Sequence, residues 1–456
     1  MEHTIAAIST PFGRGGIAVI RLSGEEAIAI AAKVFFPGNG KALTEIDGGR
    51  TVYGKIVRSG RQIDDGIAAV FRAPKSFTGE DVVEISCHGG VLITEQVLSA
   101  TFEAGAVQAG PGEFTRRAFT NGKLSLSQAE AIGLLIDAEN EEQLKLASAH
   151  ERGVFKQKAD ELYEKMKTLV TNVYANIDFP DEDLAELSDG EVLTQLFVLR
   201  DELSELTATY RTAHAVCEGI PTAIVGKPNT GKSSILNRLL GRERAIVTEV
   251  AGTTRDTIEE SVEVGRVKLR LTDTAGIHET EDKVEKIGVE RSLKALNEAE
   301  LVLAVFDGSH PCEEEDRELL SLLQTKNAVK LALVNKSDLK KEFVLPGNAD
   351  FTAVIGLSAQ NGEGFEELTK KINDLFLAGE IDYDRQAVIL NARQNASASR
   401  ALENVKGAIA SLESGLTSDM AGLDLEAALS ELSELDGRRV NEEIVDGIFH
   451  HFCVGK

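Results

Sequence analysis

The spacing of apolar and polar positions changes several times along this chain. Residues 1 to about 118 alternate strand-like runs with glycine turns; Ile17–Leu22 and Asp81–Ser86 are the clearest strands, and Glu25–Phe35 and Val91–Ala104 have helical spacing. From about 119 to 215 the pattern reads as helical. Proline is absent from Gly112 to Phe179, and Ser127-x-x-Glu130 predicts a capping box. Helical spacing returns from about 380 to the last residue.

The stretch between is of another kind. Thr222–Val225 reads as a short buried strand and Ser234–Leu240 as a helix. Ile258, Val262 and Val264 alternate with polar residues, Gly265-Arg266 makes a turn, and Val267, Leu269 and Leu271 alternate again, which predicts a hairpin. Leu331–Val334 and Ala353–Leu357 are two further apolar strands. The expected fold is a parallel sheet with one antiparallel edge.

Five motifs sit in the loops of that sheet. They are Gly226-Lys227-Pro228-Asn229-Thr230-Gly231-Lys232-Ser233, Ala251-Gly252-Thr253-Thr254-Arg255-Asp256, Asp273-Thr274-Ala275-Gly276, Asn335-Lys336-Ser337-Asp338 and Ser358-Ala359. The first joins a strand to a helix. Its backbone N–H groups converge on phosphate oxygens at a helix N-terminus, Lys232 reaches the β- and γ-phosphates, and the Ser233 hydroxyl ligates Mg²⁺. Asp338 accepts from the N1–H and exocyclic amine of guanine. Adenine offers no such pair, so the carboxylate would lose its water without gaining a partner. Asn335 suits the opposite edge of the base, the Lys336 stem its face, and the Ala359 N–H its carbonyl. Asp273 holds Mg²⁺ through water, and the Gly276 N–H contacts the γ-phosphate. This is the logic of a Ras-like GTPase.

The residue after Gly276 sets the catalytic class. Ras-type enzymes place a glutamine there to orient the attacking water; this chain has Ile277. Arg255 is the one arginine inside the motifs. Asn229, with the small-residue loop before Thr253, suits a monovalent cation held against the phosphates. Such an ion puts positive charge where an arginine finger acts, an effect worth about 10³–10⁵ in rate for arginine. The acidic stretch Glu279 to Gly288 directly follows the hydrolysis motif and offers a carboxylate to the water. Spacing leaves open which carboxylate that is.

Composition changes the picture in one respect. Acidic residues number 74 against 49 basic, a formal charge of −25, whereas phosphate contacts dominate nucleic-acid affinity. Arg116-Arg117 and Arg438-Arg439 are the only adjacent arginine pairs. Any nucleic-acid affinity is therefore expected to lie largely in a partner or a composite surface. The four cysteines (Cys87, Cys217, Cys312, Cys453) show no metal-ligand pairing, and no membrane-spanning, signal or transit segment is evident. A cytoplasmic location is expected.

The chain resembles the MnmE (TrmE) family of tRNA-modification GTPases over essentially its full length. The matching residues are Ala7-x-x-Thr10-Pro11-x-Gly13-Arg14-Gly15-Gly16, Phe77-Thr78-Gly79-Glu80-Asp81, His88-Gly89-Gly90, Pro111-Gly112-Glu113-Phe114, Gly252-Thr253-Thr254-Arg255-Asp256 and the terminal Phe452-Cys453-Val454-Gly455-Lys456. The resemblance implies four segments: an N-terminal α/β domain of folate-binding type over 1–118, which also dimerises; a helical domain split between 119–217 and 379–456; and a Ras-like P-loop G domain over 218–378 inserted in it. It implies a homodimer that forms a heterotetramer with an FAD-containing MnmG/GidA-type protein. Together they build an aminomethyl-type group at C5 of the tRNA wobble uridine, with a one-carbon unit from 5-formyl- or methylene-tetrahydrofolate.

Residue by residue, the resemblance implies that Arg21, Glu84, Lys123 and Lys456 bind folate. K⁺ would be held by Asn229, Thr248, Val250 and Thr253, and Mg²⁺ by Ser233 and Thr254. Glu285 would orient the water, and Cys453 would serve modification rather than hydrolysis. GTP contacts fall on Gly226, Asn229, Thr230, Gly231, Lys232, Ser233, Ser234, Thr248, Thr253, Thr254, Asp273, Thr274, Ala275, Gly276, Asn335, Lys336, Asp338, Ser358 and Ala359. Departures are Gln394, where the family often has histidine, and His450, where it usually has serine. The competing reading is a ribosome-assembly checkpoint GTPase, which usually carries an appended basic RNA module; none is visible here.

Overall fold

The computed structural model describes residues 3–178, 188–242, 260–271, 296–347, 349–377, 382–417, 420–450 and 452–456. The chain forms two compact units, one of residues 1–136, 150–192 and 410–456, the other of residues 137–149 and 193–409.

The first unit is built on seven strands: β1 (Ile5–Ile8), β2 (Ile17–Ser23), β3 (Phe35–Pro37), β4 (Arg50–Arg58), β5 (Arg61–Phe71), β6 (Val82–His88) and β7 (Val107–Gln108). They lie in the order β3-β4-β5-β6-β2-β1-β7, and only β1 and β7 run parallel. Helices α1 (Ala27–Val34) and α2 (Val91–Glu103) supply the apolar cover. Ala18, Ile20 and Leu22 of β2 join Val83, Ile85 and Cys87 of β6 in that core, so the alternate residues point away from it. Arg21 and Glu84 are among these, and the strand register sets them directly opposite each other.

After α3 (Glu113–Thr120), helix α4 (Leu126–Asp137) starts earlier than expected, its cap being Ser125 in place of Ser127. Its reciprocal cap is Ser125 with Gln128: the Gln128 N–H donates to Ser125 Oγ, and the Ser125 N–H to Gln128 Oε1 at 3.0 Å. Ser127 is already inside the helix, where its hydroxyl donates to Asp436 at 2.6 Å. Helix α5 (Glu141–Glu151) lies mostly in the second unit; in the first, α6 (Val154–Asp178) runs against Gly422–Leu435, while Glu442–His450 packs Val445 and Phe449 onto Leu126 and Ala129 of α4.

In the second unit α7 (Asp189–Ala208) and α8 (Tyr210–Cys217) lead into six strands: β8 (Ile220–Val225), β9 (Glu260–Val264), β10 (Val267–Leu271), β11 (Leu301–Asp307), β12 (Val329–Asn335) and β13 (Ala353–Gly356). Their order is β13-β12-β11-β8-β10-β9, parallel throughout except for the β9–β10 hairpin. Strand β11 is buried over its whole length because it serves two cores. Leu301, Leu303 and Val305 face one, and Val302, Ala304 and Phe306 the other. A continuous apolar run is what a central parallel strand requires. Helices α9 (Lys232–Arg242), α10 (Glu314–Gln324) and α11 (Phe365–Phe376) of this unit position the site. The loops after β8, β12 and β13 all leave the C-terminal edge of the sheet, where open α/β sheets bind ligands.

Candidate functional site

The loop after β8 turns through Asn229 at φ 61° and Gly231 at φ 96° before α9 begins at Lys232. Gly231 is constrained twice over, because a Cβ there would also lie 2.1 Å from the Asn335 side-chain nitrogen. Lys232 folds its ammonium back over the loop, donating to the Gly226 and Lys227 carbonyls at 2.8 and 2.9 Å. Burial lowers its pKa, which makes a phosphate partner the more favourable. Thr230 is fully buried, its hydroxyl on the Lys227 carbonyl at 3.0 Å. Lys227 points the other way, pairing with Glu313 at 2.6 Å and Asp316 at 3.0 Å at the start of α10.

The loops after β12 and β13 are braced against this one. Asn335 is buried and ties three segments together. Its Nδ2 donates to the Thr230 carbonyl at 2.8 Å, and its Oδ1 accepts from the Ala359 N–H at 3.0 Å. Sequence reasoning aimed that N–H at a guanine carbonyl; here the Asn335 side chain accepts from it. The Ser358 hydroxyl donates to Asp338 at 2.5 Å, which fixes the carboxylate at the cleft edge. Asn229, Gly231, Lys232, Ser233, Ser234, Asn335, Lys336, Asp338, Ser358 and Ala359 line one open cleft of about 740 Å³.

Two bracing side chains were not legible as site residues. Arg238 of α9 donates to the carbonyls of Ala359, Gln360 and Asn361 at 3.0–3.1 Å and lies over the Phe365 ring. Asp307, at the end of β11, takes the Lys336 ammonium at 2.6 Å. The only sequence signal for Asp307 is an apolar run that stops at an acid; Arg238 looks like any exposed helical arginine. Thr248, Val250, Thr253, Thr254, Asp273, Thr274, Ala275, Gly276 and Glu285, with Arg255 and Ile277, lie outside the described residues.

Residues 4–123 match the profile of the GTP-binding protein TrmE N-terminus, and residues 126–453 that of the MnmE helical domain. The tRNA modification GTPase MnmE of Symbiobacterium thermophilum is 42% identical over 459 residues, covering all of both chains. The MnmE of Moorella thermoacetica is 43% identical over 465 residues, again with full coverage of both. The chain belongs to the MnmE family of tRNA modification GTPases. A solved structure of Era from Aquifex aeolicus with GDP·AlF4⁻ matches 40% of this chain and 65% of its own at 27% identity, with a TM-score of 0.26.

For a member of the MnmE family, the first unit holds the second cluster of interest. The Arg21 guanidinium pairs with Glu84 at 2.8 Å and lies 5.8 Å from the centre of the Phe77 ring and 5.6 Å from that of Phe114. The C-terminal tail docks beside it. Val454 forms an antiparallel bridge with Pro111, the Phe114 N–H donates to the Lys456 carbonyl at 3.1 Å, and the Gly455 carbonyl accepts from Ser9 at 3.1 Å and from Arg21 at 3.5 Å. Tail and N-terminal sheet thus form one surface although their sequence positions are over 400 apart. Lys123 donates to the Pro74 carbonyl at 3.1 Å, on the loop that carries Phe77. The structure therefore gathers Arg21, Glu84 and the backbone of Lys456, with Lys123 bound to the neighbouring loop. Burial pushes the Cys87 thiol up to about 11 and Cys217 to about 12, whereas Cys453 is exposed. Among the described residues no helix is long and apolar enough to cross a membrane.

Proposed function

We propose that this chain is a K⁺-activated GTPase that acts in the cytoplasm with an FAD-containing partner of the MnmG/GidA type to modify C5 of the tRNA wobble uridine. The domain boundaries expected above belong to this proposal. The observation that carries it is the single cleft in which a phosphate-loop lysine, an Asn-Lys-x-Asp loop and a Ser-Ala loop meet, braced by Asn335. In this reading GTP lies across the cleft with its base on Asp338 and Lys336 and its phosphates on the loop from Gly226 to Ser234. Ser233 with Thr254 holds Mg²⁺. The left-handed turn at Asn229 presents its side chain to the cleft, which suits a K⁺ ligand shared with carbonyls of Thr248, Val250 and Thr253. Positive charge there stabilises the transferring phosphoryl group, and Glu285 orients the water.

Folate is assigned to the first unit. Arg21 and Glu84 offer a cation and a donor-accepting carboxylate side by side, near aromatic rings that favour a flat heterocycle. Lys123 and Lys456 supply charge for the glutamyl tail, and Cys453 serves the modification step. A homodimer is part of the proposal. Net charge supports a composite tRNA surface: Arg116 pairs with Asp446, Arg117 with Glu80 and Glu113, and Arg438 with Asp160. Those arginines neutralise this chain's own acids.

The decisive experiment measures GTP hydrolysis in potassium and in sodium buffer, with nucleoside analysis of tRNA from cells lacking the chain. Hydrolysis is expected to need potassium, and the wobble uridine to lose its C5 substituent. Equal rates in both salts overturn the cation assignment; unchanged wobble uridines overturn the biological one.

A further inference from the structure

Lys336 is held from behind. Its backbone sits at φ 64°, a left-handed conformation that costs energy for any residue with a Cβ, so something must fix the loop. The fixing comes from the end of the adjacent strand, β11. Asp307 Oδ2 lies 2.6 Å from Lys336 Nζ, and Oδ1 accepts from the Ser309 N–H at 2.9 Å and the Ser309 hydroxyl at 2.6 Å. His310 Nδ1 stands 3.5 Å from the same carboxylate. Burial alone would push the carboxyl up, but the hydrogen bonds from Lys336 and Ser309 hold it far below the usual range, so it stays ionised. Next along, the Gly308 N–H donates to the Asn335 carbonyl at 2.7 Å, and a Cβ on Gly308 would lie 2.7 Å from that oxygen. The Gly308 carbonyl in turn accepts from the Glu342 and Phe343 N–H groups. Residues 307–309 thus bracket the whole loop from 335 to 343.

We propose that Asp307 is a positioning residue for guanine recognition: its carboxylate holds the Lys336 stem where the face of the base packs against it, and it touches no nucleotide atom. This rests on the assignment of Asn335-Lys336-Ser337-Asp338 to guanine. Its consequence is specific. Asp338 reads the edge of the base, including the exocyclic amine, whereas Lys336 covers the face. Losing Asp307 therefore weakens every purine with a guanine-like ring by the same factor and leaves edge discrimination alone.

The test uses the full chain with GDP and inosine diphosphate carrying the same fluorescent ribose label, and reads dissociation rates by stopped flow. Asp307→Asn is expected to release both nucleotides about tenfold faster or more, with their ratio as in the unaltered protein. Lys336→Met is expected to behave alike, and the double substitution to be no worse than Lys336→Met within about twofold, the sign of two residues acting as one. Asp307→Glu keeps the charge but displaces the ammonium; it decides the matter with a smaller increase of about threefold should the asparagine variant fail to fold. Rates within twofold of the unaltered protein, effects that multiply fully in the double variant, or a changed GDP-to-IDP ratio would overturn the proposal. Failure of the unaltered protein to bind GDP would overturn the guanine assignment itself, and this inference with it.

Discussion

Asn335 offers the sharpest perturbation of the nucleotide site, because one side chain closes two hydrogen bonds to two different loops. Asn335→Ala leaves the Thr230 carbonyl and the Ala359 N–H without partners. Thr230 is fully buried, so its carbonyl has little access to water; Ala359 is half-buried and regains some. An unpaired buried polar group costs about 1–3 kcal/mol, which puts the substitution at about 2–4 kcal/mol once the wetter site is discounted. That loss divides between folding and binding. If half falls on binding, GDP affinity drops roughly 5- to 30-fold, at 1.4 kcal/mol per factor of ten. The folding half lowers the melting temperature of the nucleotide-free protein by roughly 2–8 °C. Titration with a fluorescent GDP analogue, paired with thermal unfolding with and without GDP, separates the two shares. Asn335→Asp keeps an acceptor for Ala359 but sets a carboxylate against the Thr230 carbonyl, and is expected to be worse than alanine. A Kd within threefold of the unaltered protein together with an unchanged melting temperature would refute the bracing role.

Three further outcomes are expected. Arg238→Ala removes three donors from the carbonyls of residues 359–361 and should weaken GDP binding by about 3- to 10-fold, at about 1 kcal/mol net for a partly exposed charged bond, without altering the GTP-to-ITP preference. Glu285→Ala should bind GTP normally in a filter assay and hydrolyse it very slowly; loss of binding instead would make that residue structural. His214 pairs with Glu218, whose carboxylate raises the imidazole pKa while its own is lowered by His214. The histidine's stabilising share is full below its unfolded value near 6.5 and fades as pH rises through the folded value, and the glutamate's is lost only as pH falls through its lowered folded value, below about 4.5. His214→Gln should therefore lower the melting temperature more at pH 6 than at pH 8, and an equal change at both would exclude the ion pair as the cause.

What was legible in the sequence was whatever periodicity or a fixed spacing could carry. The strands around 17–22 and 81–86 and the helices near 25–35 and 91–104 fall within three residues of their expected ends, since each has one face to bury. The segments 226–234, 335–338 and 358–359 stood out because the residues of each are consecutive, and the structure brings them to one cleft. The capping residue before α4 was misplaced, because Ser125 and Ser127 present the same chemistry to a pattern and only the backbone decides between them. Arg238 and Asp307 were missed for a different reason. Their partners are backbone carbonyls and a lysine more than 25 residues away, a relation that exists only once β11, β12 and the loop after β13 lie side by side.

The same kind of three-dimensional relation holds the β9–β10 hairpin in its unit. In sequence, the β9–β10 hairpin lies between the motif Gly252–Asp256 and the motif Asp273–Gly276. Its turn is fastened by polar contacts: Arg266 to Glu142 at 2.9 Å, Lys268 to Glu139 at 2.5 Å, and the Arg266 N–H to the Asn373 side chain at 3.2 Å. Ion pairs of this partly exposed kind are worth about 0–1 kcal/mol each and exchange readily with water. The strands themselves are anchored by buried Val262, Val264, Val267, Leu269 and Leu271. The hairpin is therefore an apolar pair of strands whose tie to residues 139–142 is polar and replaceable.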